Sequence, residues 1–146
     1  MKTIKSIIVM AFAISAMMSC EIETSGNGDL DGFWHLVRVD TLSTGGMCDM
    51  SGRRVFWSVQ VGILNATDYD RYHKGYLFHF DKTDSSLHIF DPYKDNRTEG
   101  DIKIEDPSEL YHLGINAIDE TFIIEQLEGS RMTLVTDVLR LSFRKM

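Results

Sequence analysis

The chain has 146 residues, with 22 acidic against 15 basic side chains and a formal net charge of −7, so its net field repels the many phosphates of a nucleic acid and no nucleic-acid partner is expected. Its length bounds one domain around one apolar core. With only 2 cysteines, a disulfide-stapled scaffold is excluded and stability must come from packing.

Lys2 and Lys5 precede an apolar run from Ile7 to Met18, broken only by Ser15, with no acidic residue before Cys20. This is the charged start and short apolar stretch of an export signal. About twelve apolar residues make roughly 18 Å of helix against a hydrocarbon core of roughly 30 Å, which predicts a cleaved leader over 1–19 and no spanning anchor. Met17, Met18, Ser19 and Cys20 resemble a bacterial lipobox, with Met17 where a branched aliphatic usually stands. The resemblance implies a lipoprotein signal peptide and acyl chains of the palmitate type on Cys20, each buried CH₂ favouring the membrane by about 0.8 kcal/mol. The membrane partner is then reached through Cys20, and the expected location is the cell envelope, as an outer membrane lipoprotein on either face. Cleavage removes two lysines and no acids, taking the net charge from −7 to −9.

Residues 20–30 are polar apart from Ile22 and Leu30, the composition of a solvated tether, so the folded domain is set at 31–146. Beyond it, short runs of Val, Ile, Phe, Tyr, Trp and Thr alternate with clusters of Gly, Asp, Asn and Ser, the pattern of an all-β fold. Candidate strands are 33–41, 54–64, 75–82, 86–92, 121–127, 132–137 and 138–145, with one or two weaker ones between Tyr93 and Ile118. About eight antiparallel strands can close into an up-and-down β-barrel whose interior is just filled by side chains or holds one small ligand. Cys48, among Gly45, Gly46, Met47 and Asp49, reads as a buried or idle thiol, its disulfide partner consumed by the lipid.

A turn centred on Thr83 and Asp84 would set Lys82 opposite Ser85, Phe80 opposite Leu87 and Phe78 opposite Ile89. His79 then lies opposite His88 on the wet face, beside Asp81 and Ser86. In the last strand Leu139, Leu141 and Phe143 alternate with Arg140, Ser142 and Arg144. Asp106, Pro107, Ser108 and Glu109 supply a capping acid and a first-turn proline, and Gly114 supplies a stop, predicting one short helix over 107–113. Leu110 and Leu113 would face the barrel and close one end.

The chemical motifs are thin. His79, His88 and Asp81 suit zinc by residue type, but outward histidines on paired strands need no such role, and no metal is assigned. His35, His73 and His112 show no ligand spacing. Asp68, Asp70 and Asp84 read as turn residues, and neither a Gly-x-Ser-x-Gly elbow nor a phosphate-binding glycine loop occurs, so no catalytic residue, enzyme activity or cofactor is expected. Tyr69, Tyr72, Tyr76 and Tyr93 gather around the middle loops, either sealing a barrel end or forming a rim for a sugar or protein partner.

Gly32, Phe33 and Trp34 open the first strand as Gly-x-Trp, which resembles the lipocalin signature. The stretch from Leu113 to Met146 is similar to the end of bacterial lipocalin-like lipoproteins, through Gly114, Ile115, Asn116, Phe122, Ile124, Glu125, Leu127, Arg131, Met132 and Leu134, and then Leu139, Leu141, Phe143, Arg144 and Lys145. The resemblance implies a lipocalin-like (calycin) cup with Trp34 across its closed end, and Arg140 or Arg144 stacked on that ring. It also implies a small hydrophobic ligand held by the inward set Trp34, Leu36, Phe78, Phe80, Leu87, Ile89, Phe122, Ile124 and Phe143, with Leu134 and Leu141 beside them. The alternative is an outer-membrane structural or protein-interaction module with a filled barrel, working through loops such as 67–74.

Overall fold

The computed structural model describes residues 26–146; the expected leader, its expected cleavage site and Cys20 lie outside the described residues. The described chain runs through β1 (Gly32–Thr41), β2 (Gly46–Asp49), β3 (Val55–Gln60), β4 (Ile63–Asp68), β5 (Tyr72–Lys82), β6 (Ser86–Lys94), β7 (Ile102–Lys103), β8 (Glu120–Leu127), β9 (Arg131–Val135) and β10 (Leu139–Lys145). The sheet order is β10, β9, β8, β6, β5, β4, β3, β1, and β1 pairs back onto β10, so eight antiparallel strands close a barrel. The closing seam runs from Trp34 opposite Lys145 to Thr41 opposite Leu139. β2 and β7 lie outside the ring, on β1 and β6.

Alternation decides the faces. Leu87 and Ile89 on β6, Met132 and Leu134 on β9, and Leu141 and Phe143 on β10 are buried, while the residues between them are partly or fully exposed. The indole of Trp57 meets Phe143 and Phe122 at centroid separations of 4.9 and 5.7 Å, so aromatic rings from β3, β8 and β10 fill the lumen at that level.

Four sequence expectations are corrected. The segment 54–64 is two strands, because Val61 and Gly62 form a tight turn with Val61 at φ 55°; the dipeptide lacks the Asn or Asp that marks such turns. The β5–β6 hairpin is shifted by two residues: Lys82 pairs with Leu87, Phe80 with Ile89 and Asp81 with His88, while His79 faces Phe90. The Thr83 hydroxyl accepts the amides of Ser85 and Ser86 and moves the turn to Asp84 and Ser85. An even shift leaves every face unchanged, so the apolar lining survives the wrong register. Cys48 is exposed on β2, which removes the buried alternative of the buried-or-idle reading. The cation over Trp34 is Lys145, its Nζ 4.7 Å from the ring centroid, in place of Arg140 or Arg144.

The barrel's two ends differ. At the closed end a 3-10 turn, Gly28–Leu30, buries Leu30, and the Trp34 indole donates to the Leu30 carbonyl at 2.8 Å. Leu30 is thereby packed into the barrel's core. At the mouth the segment predicted as a helix, Pro107–Leu113, is a 3-10 helix capped by the Asp106 carboxylate, which accepts the Ser108 amide at 2.9 Å. It ends at Gly114 with φ 84°, and a Cβ there would stand 2.9 Å from Leu141 Cδ2, so glycine is required both by conformation and by space. Leu110 and Leu113 are fully buried, and the Trp57 indole donates to the Leu113 carbonyl at 3.1 Å. This segment is a plug over the mouth.

Candidate functional site at the barrel mouth

Beside the plug, the mouth opens a recess of about 230 Å³. Leu36 and Val39 of β1 and Leu139 of β10 form an aliphatic floor, Cys48 and Met50 come from β2 and its exit, and Arg53, Arg71, Tyr111 and His112 form the polar edge. β2 reaches this place because the second half of β1, from Arg38 to Thr41, pairs with it instead of with β3.

The edge is organised by a carboxylate that the sequence presents as a turn residue. Asp68 closes β4 and its side chain is 0% exposed. Its Oδ2 lies 3.3 Å from Arg53 Nη2, 3.7 Å from Arg71 Nε and 3.1 Å from His112 Nδ1, while Oδ1 accepts the Asp70 amide at 3.0 Å. A buried carboxylate persists only when such partners replace its hydration. One link joins the barrel wall to the plug, since His112 belongs to the plug. Asp70, just beyond, accepts the Arg54 amide at 3.0 Å and the Arg54 guanidinium at 2.9 Å, and these bonds hold its carboxyl at about 2. Asp68 and Asp70 thus offset most of the charge of Arg53, Arg54 and Arg71.

The tyrosines divide. Tyr76 is buried against the His112 ring at 5.9 Å, and burial pushes its hydroxyl up. The Tyr72 hydroxyl donates to the Asp95 carbonyl at 2.8 Å, with Lys94 Nζ 4.4 Å above its ring. The two rings meet at 6.0 Å, so both pack beside the plug residue His112. Tyr69 instead packs edge-on against Phe56 at 5.9 Å on the outer wall, where Phe56 stacks on Phe33 and His35. Tyr93 borders a separate outer recess beside the β6 bulge, where Asp91 has φ 54°.

All nine residues predicted to line the interior do face inward: Trp34, Leu36, Phe78, Leu87, Ile89, Phe122 and Phe143 are buried, and Phe80 and Ile124 pack against them partly exposed. Most of them contact one another; of the nine, Leu36 borders the mouth recess. Sequence reasoning missed Val39, Met50, Arg53, Arg71 and the Asp68 to His112 link. Asp68 and His112 are 44 positions apart, and no local pattern signals their meeting. The histidines proposed to share a wet face do so without forming a pair: His88 Nε2 lies 2.7 Å from Asp119 Oδ1, and His79 tilts against Phe90. Among the described residues no group of three or more His, Cys, Asp or Glu is placed to hold a metal.

The lipocalin-like domain profile matches residues 14–146. The chain belongs to the lipocalin-like domain family. Among solved structures, a lipocalin-like protein from Bacteroides uniformis ATCC 8492 is 20% identical with a TM-score of 0.62, covering 82% of this chain and 100% of its own. An uncharacterized protein from Bacteroides eggerthii DSM 20697 is 19% identical with a TM-score of 0.55, covering 80% and 98%. At such identities the likeness is one of fold. No curated protein matches the chain.

Proposed function

We propose that this lipocalin-like protein is a binding module of the cell envelope, anchored through acylated Cys20, that takes a small, largely apolar molecule in the recess at its mouth. The observation that carries this reading is the aliphatic floor of Leu36, Val39 and Leu139 under a polar edge whose charges are already paired. An anionic ligand would find the charges of Arg53 and Arg71 already offset by Asp68 and Asp70. A volume of about 230 Å³ exceeds the engineered 150 Å³ cavities that accept benzene, and falls below the usual span of drug-sized sites, so the fitting ligand is one or two fused rings or a short branched chain.

The test uses 2-naphthol as the probe, followed by its fluorescence with the full chain. Saturable binding is expected, together with protection of Cys48 from iodoacetamide, since its thiol borders the recess. Leu139→Trp, which fills the floor, should weaken binding at least roughly tenfold. Absence of saturable binding, or binding untouched by that substitution, overturns the mouth site. The anchor is tested separately: intact-mass analysis should find acyl chains on Cys20, and Cys20→Ala should move the protein out of the membrane fraction.

The aromatic filling of the lumen favours a second reading, a structural or protein-interaction module with no ligand. A native mass spectrum without bound small molecules, together with failure of the naphthol titration, would select it.

A further inference from the structure

On the outer wall, away from the mouth, Arg131 of β9 and Arg144 of β10 stand directly opposite each other. Like charges on facing strand positions repel, and strands ordinarily separate them or place a carboxylate between them. Other outward arginines of this wall follow that rule: Arg140 meets Glu125 at 2.8 Å and Arg38 meets Asp40 at 2.7 Å. Arg131 and Arg144 have no side-chain hydrogen bond or ion pair among the described residues, in a chain with 22 acidic side chains. Both border a groove of about 370 Å³ together with Thr133, Ser142 and Gln126.

The groove has a structural origin. Between Leu36 and Arg38 the β1–β10 register slips, leaving Val37 bulged out of the seam, and a second slip between Ile124 and Gln126 bends β8 on the far side. Bulges re-aim side chains and recur beside binding sites. The Thr133 and Ser142 hydroxyls have no side-chain hydrogen bond among the described residues, so they add donors beside the two guanidinium groups. Two carboxylates mark the limits: Glu128 accepts from the Gln126 amide at 3.2 Å, and Asp49 holds Ser51, which also borders the groove, at 2.6 Å. Neither pairs with Arg131 or Arg144.

We infer that this groove binds a phosphate ester, with Arg131 and Arg144 clasping the phosphate from two sides and the two hydroxyls completing its coordination. Two forked cations with adjacent hydroxyl donors offer more N–H and O–H groups than a carboxylate can accept, and they match the oxygens of a phosphate. Bound phosphate also removes the repulsion that the bare pair imposes. The inference is independent of the mouth recess.

The source of the phosphate is either a soluble metabolite or a lipid headgroup, and the probes separate the two. Arginine Nε–Hε resonances of the purified full chain are followed while inorganic phosphate, glycerol 3-phosphate, acetate and monomeric dihexanoyl phosphatidic acid are added in turn. Saturable shifts with phosphate and its esters are expected, and Arg131→Gln or Arg144→Gln should weaken them at least roughly tenfold. Each substitution should leave the melting temperature unchanged or raise it, a gain that a structural role for the pair would not give. Tighter binding of phosphatidic acid than of glycerol 3-phosphate assigns a lipid headgroup, and equal binding assigns a soluble ester. Acetate binding as tightly as phosphate overturns the inference, as do shifts that survive both substitutions or no saturable shift at all.

Discussion

Each end of the barrel is fastened by the same device, an indole N–H donated to the carbonyl of a leucine in a 3-10 turn, but the two fastenings differ in reach. Trp34 holds Leu30 four positions away, whereas Trp57 holds Leu113 across 56 positions. The two tryptophans are neighbours on paired strands, Trp34 directly opposite Trp57. The closed end is thus a local structure, set once β1 forms. The mouth depends on a distant segment being delivered by the long β6–β8 connection, and it is held by the buried Asp68 to His112 link as well as by Trp57. A lipocalin-like cup can in this way keep one end permanent and make the other a separable closure.

The comparison is sharpened most by removing the rings. Trp34→Ala and Trp57→Ala should each cost about 3–5 kcal/mol, read from denaturant midpoints. The milder Trp57→Phe, which keeps the ring and loses the donor, separates the ends: amide exchange should quicken at Gly114 and Ile115 while the closed end is unchanged. Exchange rising equally at both ends would refute the idea of a separable closure. Next comes Asp68→Ala, which strands Arg53, Arg71 and His112 without their shared carboxylate and should cost about 3–5 kcal/mol, with the plug loosened in the same exchange experiment.

The same contrast governs what could be read in the sequence. At the closed end Gly-x-Trp places Trp34 only through a family resemblance, and the turn it fastens, Gly28–Leu30, lies in a stretch whose polar composition reads as a tether; the plug's capping acid and terminal glycine are legible because both signals are local. The plug's target is not, since nothing around Trp57 points to residue 113. Parity decides which cation lies over Trp34: Arg140 and Arg144 share the outward parity of Ser142, whereas Lys145 shares the inward parity of Phe143. Side chains of outward parity cannot reach an indole that is 0% exposed. The β5–β6 pairing differs by two from the expected register, yet the same residues face inward, because alternation fixes faces even where pairing is off by two. The mouth recess was illegible throughout; Val39, Met50, Arg53 and Arg71 meet only once β2 folds back on β1.

Two smaller tests bear on the closed end. Val61 is a β-branched residue at φ 55°, where its side chain crowds its own backbone, and its carbonyl accepts the Asn27 side-chain amide at 2.6 Å. Val61→Asn should therefore stabilise the protein by about 1 kcal/mol, measured as a higher denaturant midpoint. Lys145→Met keeps the side chain's bulk and loses both the cation over Trp34 and the bond from Nζ to the Asp29 carbonyl at 2.9 Å. A loss of about 0.5–1 kcal/mol is expected, with no effect on exchange at the plug.

The smallest effect separates two acids near the mouth by the sign of their pH dependence. Asp70, held at about 2 by the Arg54 amide and guanidinium, binds protons less readily folded than unfolded, so its contribution is present above its ordinary value of 3.8 and is lost as pH falls from there towards 2. Glu120 behaves oppositely: burial raises its carboxyl above 4.5, although the Asn116 amide donates to it at 2.8 Å. Its protonated form is favoured by folding, so stability is lost as pH rises from 4.5 through the raised value. Asp70→Asn should accordingly flatten the acid limb of the stability curve below pH 4, and Glu120→Gln should flatten it above 4.5, with unfolding midpoints measured across both windows. If Asp70→Asn left the acid limb unchanged, the Arg54 bonds would not be holding the β4–β5 turn, and the mouth's order would rest on Asp68 and the plug alone.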